Sequence, residues 1–562
     1  MRTVVAWSAV WVCLLLAIWA PVQAQSGGPA GPASSPPWSD AAMISSGWET
    51  WPSISSDGTR VVALDADPNV ADGQKQIVYF KRTAAGWAGP QVLASNGVAH
   101  NSGLLPQYTH PVISGYGRTV AYLGATGQSA PNPQYAIYGI DQADGVWGAA
   151  YAIPTNLLSP RYRLALDWIG NTVVYNSYLF LDPVWPMYAS QRSVGGWGEP
   201  HRLSDERGGS DPSMSADGTA VAYLATNSRL MFVEKIGGVW TAPALLVDND
   251  PDQSLLENPA ISADGRSIFY WKVQLTSGGG YYIRTAQDLY VLRRLGTGWT
   301  PPMKVTATSV IPLTSADAPA AIDAHGTRVI YSRPRAQGDS ILGASLEMTE
   351  FINGAWTPPG PVTEFMYYAT DRYPRLSADG KRLVYEADHY TYDGTHGLRE
   401  RTTAVDPPAP PQPAVVTGTI GAGAATNFVA GSTLLSFPAG AFTSTVVLTY
   451  THQTAAAQTA DRLVPVGYEF AATAVYSDTG RPAAIASGSG YLVSIDRAAL
   501  NLGLVSSTTL QLYRWDGVGW SQEGITPGQE ITGMRLIAWV DRLGRFAVFG
   551  HTRALYLPLV MR

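Results

Sequence analysis

The residues of this 562-residue chain whose types could do chemistry recur at a fixed place in a repeated pattern. A short phrase recurs along the chain. Immediately before each copy stands a residue of changing type: Trp51, His110, Arg163, Asp211, Asn258, Pro319 and Tyr373. Varied side chains inside regular surroundings suit a binding surface, because positions held by a rigid scaffold are where specificity is placed. Aromatic rings mixed with a few charges fit a peptide, protein or glycan ligand. A residue that precedes proline is expected to be extended, which leaves its side-chain type open. Tyr281-Tyr282, Tyr367-Tyr368 and Tyr390-Thr391-Tyr392 lie in longer insertions expected on the same face.

Catalytic patterns are weaker. The nucleophile elbow of a serine hydrolase needs Gly-x-Ser-x-Gly, and neither Gly208-Gly209-Ser210-Asp211-Pro212 nor Gly488-Ser489-Gly490 supplies it. The sialidase turn motif separates its Asp and Gly by one residue, whereas the Asp-Gly pairs here are adjacent. Arg161, Arg163, Arg333, Arg335 and Arg372 lie near expected loops, where an arginine trio could hold a carboxylate. His389 and His396 with Asp388 and Asp393, and His100 with His110, lack close metal-ligand spacing. Acidic stretches at Asp65-Ala66-Asp67 and Asp248-Asn249-Asp250-Pro251-Asp252 read as solvated loops before calcium loops. No metal, cofactor or catalytic residue is therefore expected. The alternatives are a carbohydrate-active propeller hydrolase or lyase, which would need two convergent carboxylates at the mouth, and a structural cell-envelope protein with a plugged channel.

The elements that position the ring follow from the phrase itself: Pro, any residue, an apolar residue, Ser, any residue, Asp-Gly, then a β-branched run. Five copies lead with proline, at Pro52, Pro111, Pro212, Pro259 and Pro374. Leu164 to Gly170 and Ala320 to Gly326 are degenerate, with Ile169 and His325 at the Asp place. Alternating residues, a turn that needs positive φ and a returning strand describe a hairpin. The Asp side chains are thus turn formers first. A second hairpin follows, carrying Trp87, Trp147, Trp197, Trp240, Trp299 or Trp356. Four-stranded sheets of this kind stack radially, and the tryptophans are expected to fill the gaps between them. A lone strand at Trp38 to Ser45 complements the last copy, so strands from both ends close the ring. The expected fold is all-β: a seven-bladed β-propeller at 38–404, a Pro-rich linker at 405–413, and a β-sandwich-like domain at 414–562.

Composition agrees. Gly 57, Pro 40, Trp 18 and Tyr 29 with only 14% charged residues describe short strands and tight turns. A net charge of −6 without basic clusters argues against nucleic acid. Arg2, the apolar run Val4 to Trp19 and Val22-Gln23-Ala24 read as a signal peptide at 1–24. The sole cysteine, Cys13, lies within it, so disulfides are not expected in the exported chain. The expected setting is extracellular, cell-surface or periplasmic, with the cell envelope as one association, and no transmembrane span in the mature chain.

The Pro-x-apolar-Ser-x-Asp-Gly copies resemble the TolB-like (WD-like) β-propeller repeat family over residues 38 to 404. That resemblance implies a propeller; its best-known members have six blades, and seven here separates this chain from their peptidoglycan-associated lipoprotein partner. Beyond the linker, Ser432 to Ala441 resembles the β-sandwich module of ankyrins and netrin receptors. The apolar end, Leu555 to Arg562, is expected to be a terminal strand.

Overall fold

The computed structural model describes residues 38–551 apart from 66, 68–74, 96–109, 126–134, 156–158, 179–184, 250–253, 279–280, 307–318, 338–339, 390–393, 410–413, 454–462, 501, 503–504, 518 and 529–532. The expected signal peptide, His100, Asp393, Tyr390 to Tyr392 and the apolar C-terminal end lie outside the described residues. The described chain is all-β and propeller-like, with only two short 3₁₀ turns, Arg497–Ala499 and Ser507–Thr509. Among the described residues, no helix is long and apolar enough to cross a membrane.

The recurring phrase has a physical explanation in side-chain hydrogen bonds. In the first copy, the Ser55 hydroxyl donates to Asp57 at 2.5 Å and accepts from the Arg60 amide at 3.0 Å. The same Asp57 carboxylate accepts from the Thr59 amide at 2.9 Å. Ser215 with Asp217, Ser262 with Asp264 and Ser377 with Asp379 repeat the arrangement. Gly58, Gly218, Gly265 and Gly380 take φ between 65° and 72°, which glycine adopts without strain. The two degenerate copies solve the same problem with one residue. Asp167 and Asp323 occupy the serine place and accept the turn amides directly, from Gly170 and Asn171 and from Thr327 and Arg328. This releases Ile169 and His325 from turn duty. The copy at Pro111 has Tyr116 at the Asp place, so adjacent Asp-Gly holds in four copies and not in all five proline-led ones.

Each phrase opens an antiparallel strand group. Its first strand is Glu49–Ile54, Val112–Ile113, Ser159–Leu166, Ser210–Met214, Ser254–Ile261, Ala321–Ile322 or Thr370–Leu376. The turns at the far ends of these strands are linked amide to carbonyl in a closed circuit: Ser56 to Gly115, Tyr116 to Trp168, Trp168 to Ala216, Ala216 to Ala263, Asp264 to Ala324, Ala324 to Ala378, and Ala378 back to Ser56, at 2.8–3.2 Å. Ala42–Met43, from the N-terminal side, pairs with Thr395–Thr402 through Ala42↔Glu400, as the ring-closing reading requires. The tryptophans pack across neighbouring groups: Trp147 on Tyr79 at 5.1 Å, Trp299 on Phe232 at 5.0 Å and Trp356 on Phe269 at 5.8 Å, all near edge-on. The second strands, such as Arg60–Asp65 and Ala220–Ala225, are buried along almost their whole length, which is why they read as unbroken apolar runs.

One expectation is overturned. Trp51, Asp211, Asn258 and Tyr373 each precede a proline yet have φ of 50° or 51° instead of the extended backbone expected there. The reason is a β-bulge: the ladder skips between Thr50 and Ser53, Ser210 and Ser213, Glu257 and Ala260, and Arg372 and Arg375. Proline has no amide to lose from the ladder, so the bulge falls on it at little cost.

The C-terminal residues form two sheets, one holding Val446–Gln453, Val464–Tyr476 and Gly544–Gly550, the other Thr433–Phe437, Tyr491–Asp496 and Arg535–Val540. Phe428, Phe437 and Tyr491 of one and Tyr450, Phe470 and Phe546 of the other share a single buried core. The start of the expected linker is pinned, since the Arg328 guanidinium donates to the carbonyls of Val405 and Asp406.

Candidate functional site at the channel mouth

A cavity of about 270 Å³ has Trp51, His110, Arg163, Asp211 and Pro319 in its wall, while Asn258 and Tyr373 are buried and are not among its lining residues. His110 packs on the Trp51 ring at 4.4 Å, and Tyr373 meets Trp51 edge-on at 6.2 Å. Arg163 lies 3.8 Å from the Asp211 carboxylate and donates to the Asn258 side-chain carbonyl at 2.5 Å. The six varied residues thus fall into two contact groups, Trp51 with His110 and Tyr373, and Arg163 with Asp211 and Asn258, and four of them line the cavity.

A second layer holds this ring. Arg372 reaches over the Tyr373 ring at 5.4 Å while pairing with Glu386 at 2.7 Å and Asp388 at 3.5 Å. Glu386 is fully buried and also accepts from the Thr50 hydroxyl. Burial alone would raise its pKa, but His396, Arg372 and Thr50 together hold it below the usual value. His396 is pulled down by burial and pushed up more strongly by Glu386 and the Gly47 carbonyl, so its pKa rises. His389 pairs instead with Asp371 at 3.0 Å, so the two histidines serve different carboxylates and share no centre. Of the arginines suggested for a trio, Arg333 pairs with Glu347 at 2.8 Å and Arg335 covers Phe365 at 4.7 Å, while the Arg161 side chain lies outside the described residues. Tyr367 and Tyr368 are exposed, and Asp248 is held by Arg229 at 2.8 Å.

Arg375 was not among the residues singled out from sequence, yet it lines the cavity. The signal was present two places beyond each varied residue, where the aligned copies read Ser53, Val112, Ala165, Ser213, Ala260, Ala321 and Arg375. Six are small or β-branched and one is a long cation. Burial, then the neighbouring charge of Arg163, pulls the Arg375 guanidinium down to about 10. It still carries its proton at neutral pH.

A different charged cluster lies at the turn end of the same strands, where the C-terminal sheets touch the propeller. His325, released from turn duty, sits 2.9 Å from Asp496 and 3.5 Å from Asp264. Arg535 reaches Asp217 at 3.3 Å and the Asp264 carbonyl at 2.6 Å. Arg266 donates to the Gly431 carbonyl, and Gly296 and Val429 exchange backbone hydrogen bonds. Burial pulls His325 down, but Asp496 and Asp264 outweigh it and raise it well above the ordinary histidine value. The three side chains offer ligand atoms within 4.8 Å of one another, a spacing a cation would also accept. The nearby guanidiniums of Arg266 and Arg535 repel a divalent cation more strongly than a singly charged imidazolium.

No protein-family model and no curated protein matches the sequence. Solved structures similar to it include an oligogalacturonate lyase in complex with manganese, at 13% identity and a TM-score of 0.40, covering 65% of this chain and 91% of that one. An oligogalacturonate lyase from Vibrio parahaemolyticus aligns at 10% identity and a TM-score of 0.41, with coverage of 65% and 91%. The β-propeller domain of Cps50 (Swd1) from Myceliophteria thermophila aligns at 10% identity and 0.40, covering 66% of this chain and 100% of that chain.

Proposed function

We propose that this chain is an exported, non-enzymatic binding protein. In this reading a seven-bladed propeller is the recognition platform. The C-terminal two-sheet domain, docked on the turn end, is a spacer or attachment module to the cell envelope. The observation that carries the reading is that Trp51, His110, Arg163 and Asp211 line one cavity, with Tyr373 against Trp51 and Asn258 against Arg163. Among the described lining residues the only carboxylate is Asp211, which faces Arg163. Glycosidic cleavage by paired acids would draw on two, so the wall supports binding over hydrolysis.

The test is a screen of the exported chain against peptide and glycan arrays, with Trp51→Ala and Tyr373→Ala alongside. Binding by the parent that is lost in both variants is the expected result. Variants that bind as well as the parent would refute the mouth as the site.

A further inference from the structure

Resting on the reading that the channel mouth binds a ligand, we infer that Arg375 is the seat for the C-terminal carboxylate of a peptide or protein chain, with Arg163 beside it. Four observations lead there.

The first is the charge balance. The described wall holds two guanidiniums, Arg163 and Arg375, and one carboxylate, Asp211. Asp211 is engaged by Arg163. Among the described residues no carboxylate forms an ion pair with Arg375, whose hydrogen bond goes to the Pro374 carbonyl at 3.1 Å. A guanidinium has five N–H donors in a fork that matches a carboxylate. Arg163 adds like charge beside it rather than compensation. A half-buried cation so placed is stabilised only when an anion enters.

The second is register. The other six copies put small or β-branched residues where Arg375 stands, so the room they leave is what lets its long side chain lie inside the channel.

The third is the rest of the wall. Prolines, Val112, Leu164, Ile261 and Ile322 share it about equally with polar groups. Ser53 accepts from the Ile113 amide at 3.1 Å and Ser213 from the Ile261 amide at 3.0 Å, which fixes both hydroxyls in the wall with their O–H groups still able to donate. A carboxylate on an apolar last residue meets both kinds of surface.

The fourth is size. About 270 Å³ lies just under the range of roughly 300–1,000 Å³ typical of small-molecule pockets. It has room for a terminal residue, with Trp51 and His110 in its wall and Tyr373 packed against Trp51.

Two measurements on the full chain separate this inference from the reading beneath it. In thermal unfolding, sodium acetate is compared with sodium chloride at equal ionic strength. The parent is expected to gain in Tm with acetate by mass action. Arg375→Met is expected to lose that gain and to start from a higher Tm at low salt, because a like-charged buried cation is gone. Arg375→Lys keeps the charge without the fork and is expected to fall between. An acetate effect equal in parent and Arg375→Met would overturn the seat, whatever the arrays show. The second measurement uses a peptide array displayed with free α-carboxylates and again with terminal amides. Amidation and Arg375→Met are each expected to weaken binding by about tenfold or more, as loss of a charge-assisted bidentate contact does. Peptides bound equally as acid and amide, with binding still lost in Trp51→Ala, would overturn the inference and leave the mouth as a binding site. Binding of acidic glycans alone, dependent on Arg375, would overturn the peptide assignment.

Discussion

The two ends of the innermost strands hold charged clusters of opposite character. At the turn end, acceptors and donors answer one another: His325 lies between Asp264 and Asp496, Arg535 reaches Asp217, and Glu234 is shared by Arg294 and Asn427. At the mouth, Arg163 is matched by Asp211 and Asn258, but Arg375 is matched by no described acid. A cluster neutralised from within fixes the C-terminal sheets on the propeller. A cluster left with surplus charge is ready for something that arrives. The same repeat thus supplies attachment at one end and reception at the other, depending on where its exceptions fall.

The comparison can be broken most forcefully at the turn end. Asp496→Ala removes one partner of a buried ion pair and strands the other, which costs about 3 kcal/mol or more. Urea denaturation should show that loss, whereas His110→Ala at the mouth should cost far less. Equal losses would mean the two clusters are not different in kind.

Titration sharpens the same contrast. The folded-state pKa of His325 is raised. Its stabilisation is therefore complete below about 6.5, the unfolded value, and fades as pH rises toward the raised folded value. Asp264, Asp496, Asp323, Arg266, Arg293 and Arg535 face this group or share its field. Stability should fall with pH above about 6.5, and His325→Gln should flatten that slope. A slope unchanged in His325→Gln would contradict the assignment.

Backbone strain at the mouth gives a smaller effect. Trp51 has φ of 50°, a conformation that costs a non-glycine residue about 1 kcal/mol. Trp51→Gly should therefore be more stable than Trp51→Ala by about 1 kcal/mol, the reverse of the usual order within a strand. The order Ala above Gly in a melting comparison would remove strain from the account.

The smallest expected difference lies between two copies of one turn. Asp57→Ala loses hydrogen bonds to Ser55 and Thr59 and an exposed pair with Arg60 at 3.4 Å, about 1 kcal/mol in all. Asp217→Ala loses the matching hydrogen bonds and the less exposed Arg535 pair at 3.3 Å, a further ~0.5 kcal/mol. Equal losses would show that Arg535 adds no more at the docking contact than Arg60 does at the first turn.

Much of the scaffold was legible because the phrase is local chemistry: serine, aspartate and glycine within a few residues close a turn wherever they occur. The contacts of Trp51 with His110 and Tyr373 follow from the same repetition, since the three share a register. Three things were hidden. The left-handed backbone at Trp51, Asp211, Asn258 and Tyr373 comes from a bulge, which depends on how two strands pair and not on either alone. His325 looked like a degraded turn, and its role required Asp496, far away in sequence. Arg375 was readable as one large residue in a column of small ones, but only after that column was compared with the channel wall.

The most direct test is a crystal of the protein soaked in bromide and examined by anomalous scattering. An anion held against Arg375 and Arg163, with none at His325, Arg266 and Arg535, is the predicted result. Bromide at the turn-end cluster with an empty channel would reverse the comparison and contradict the account.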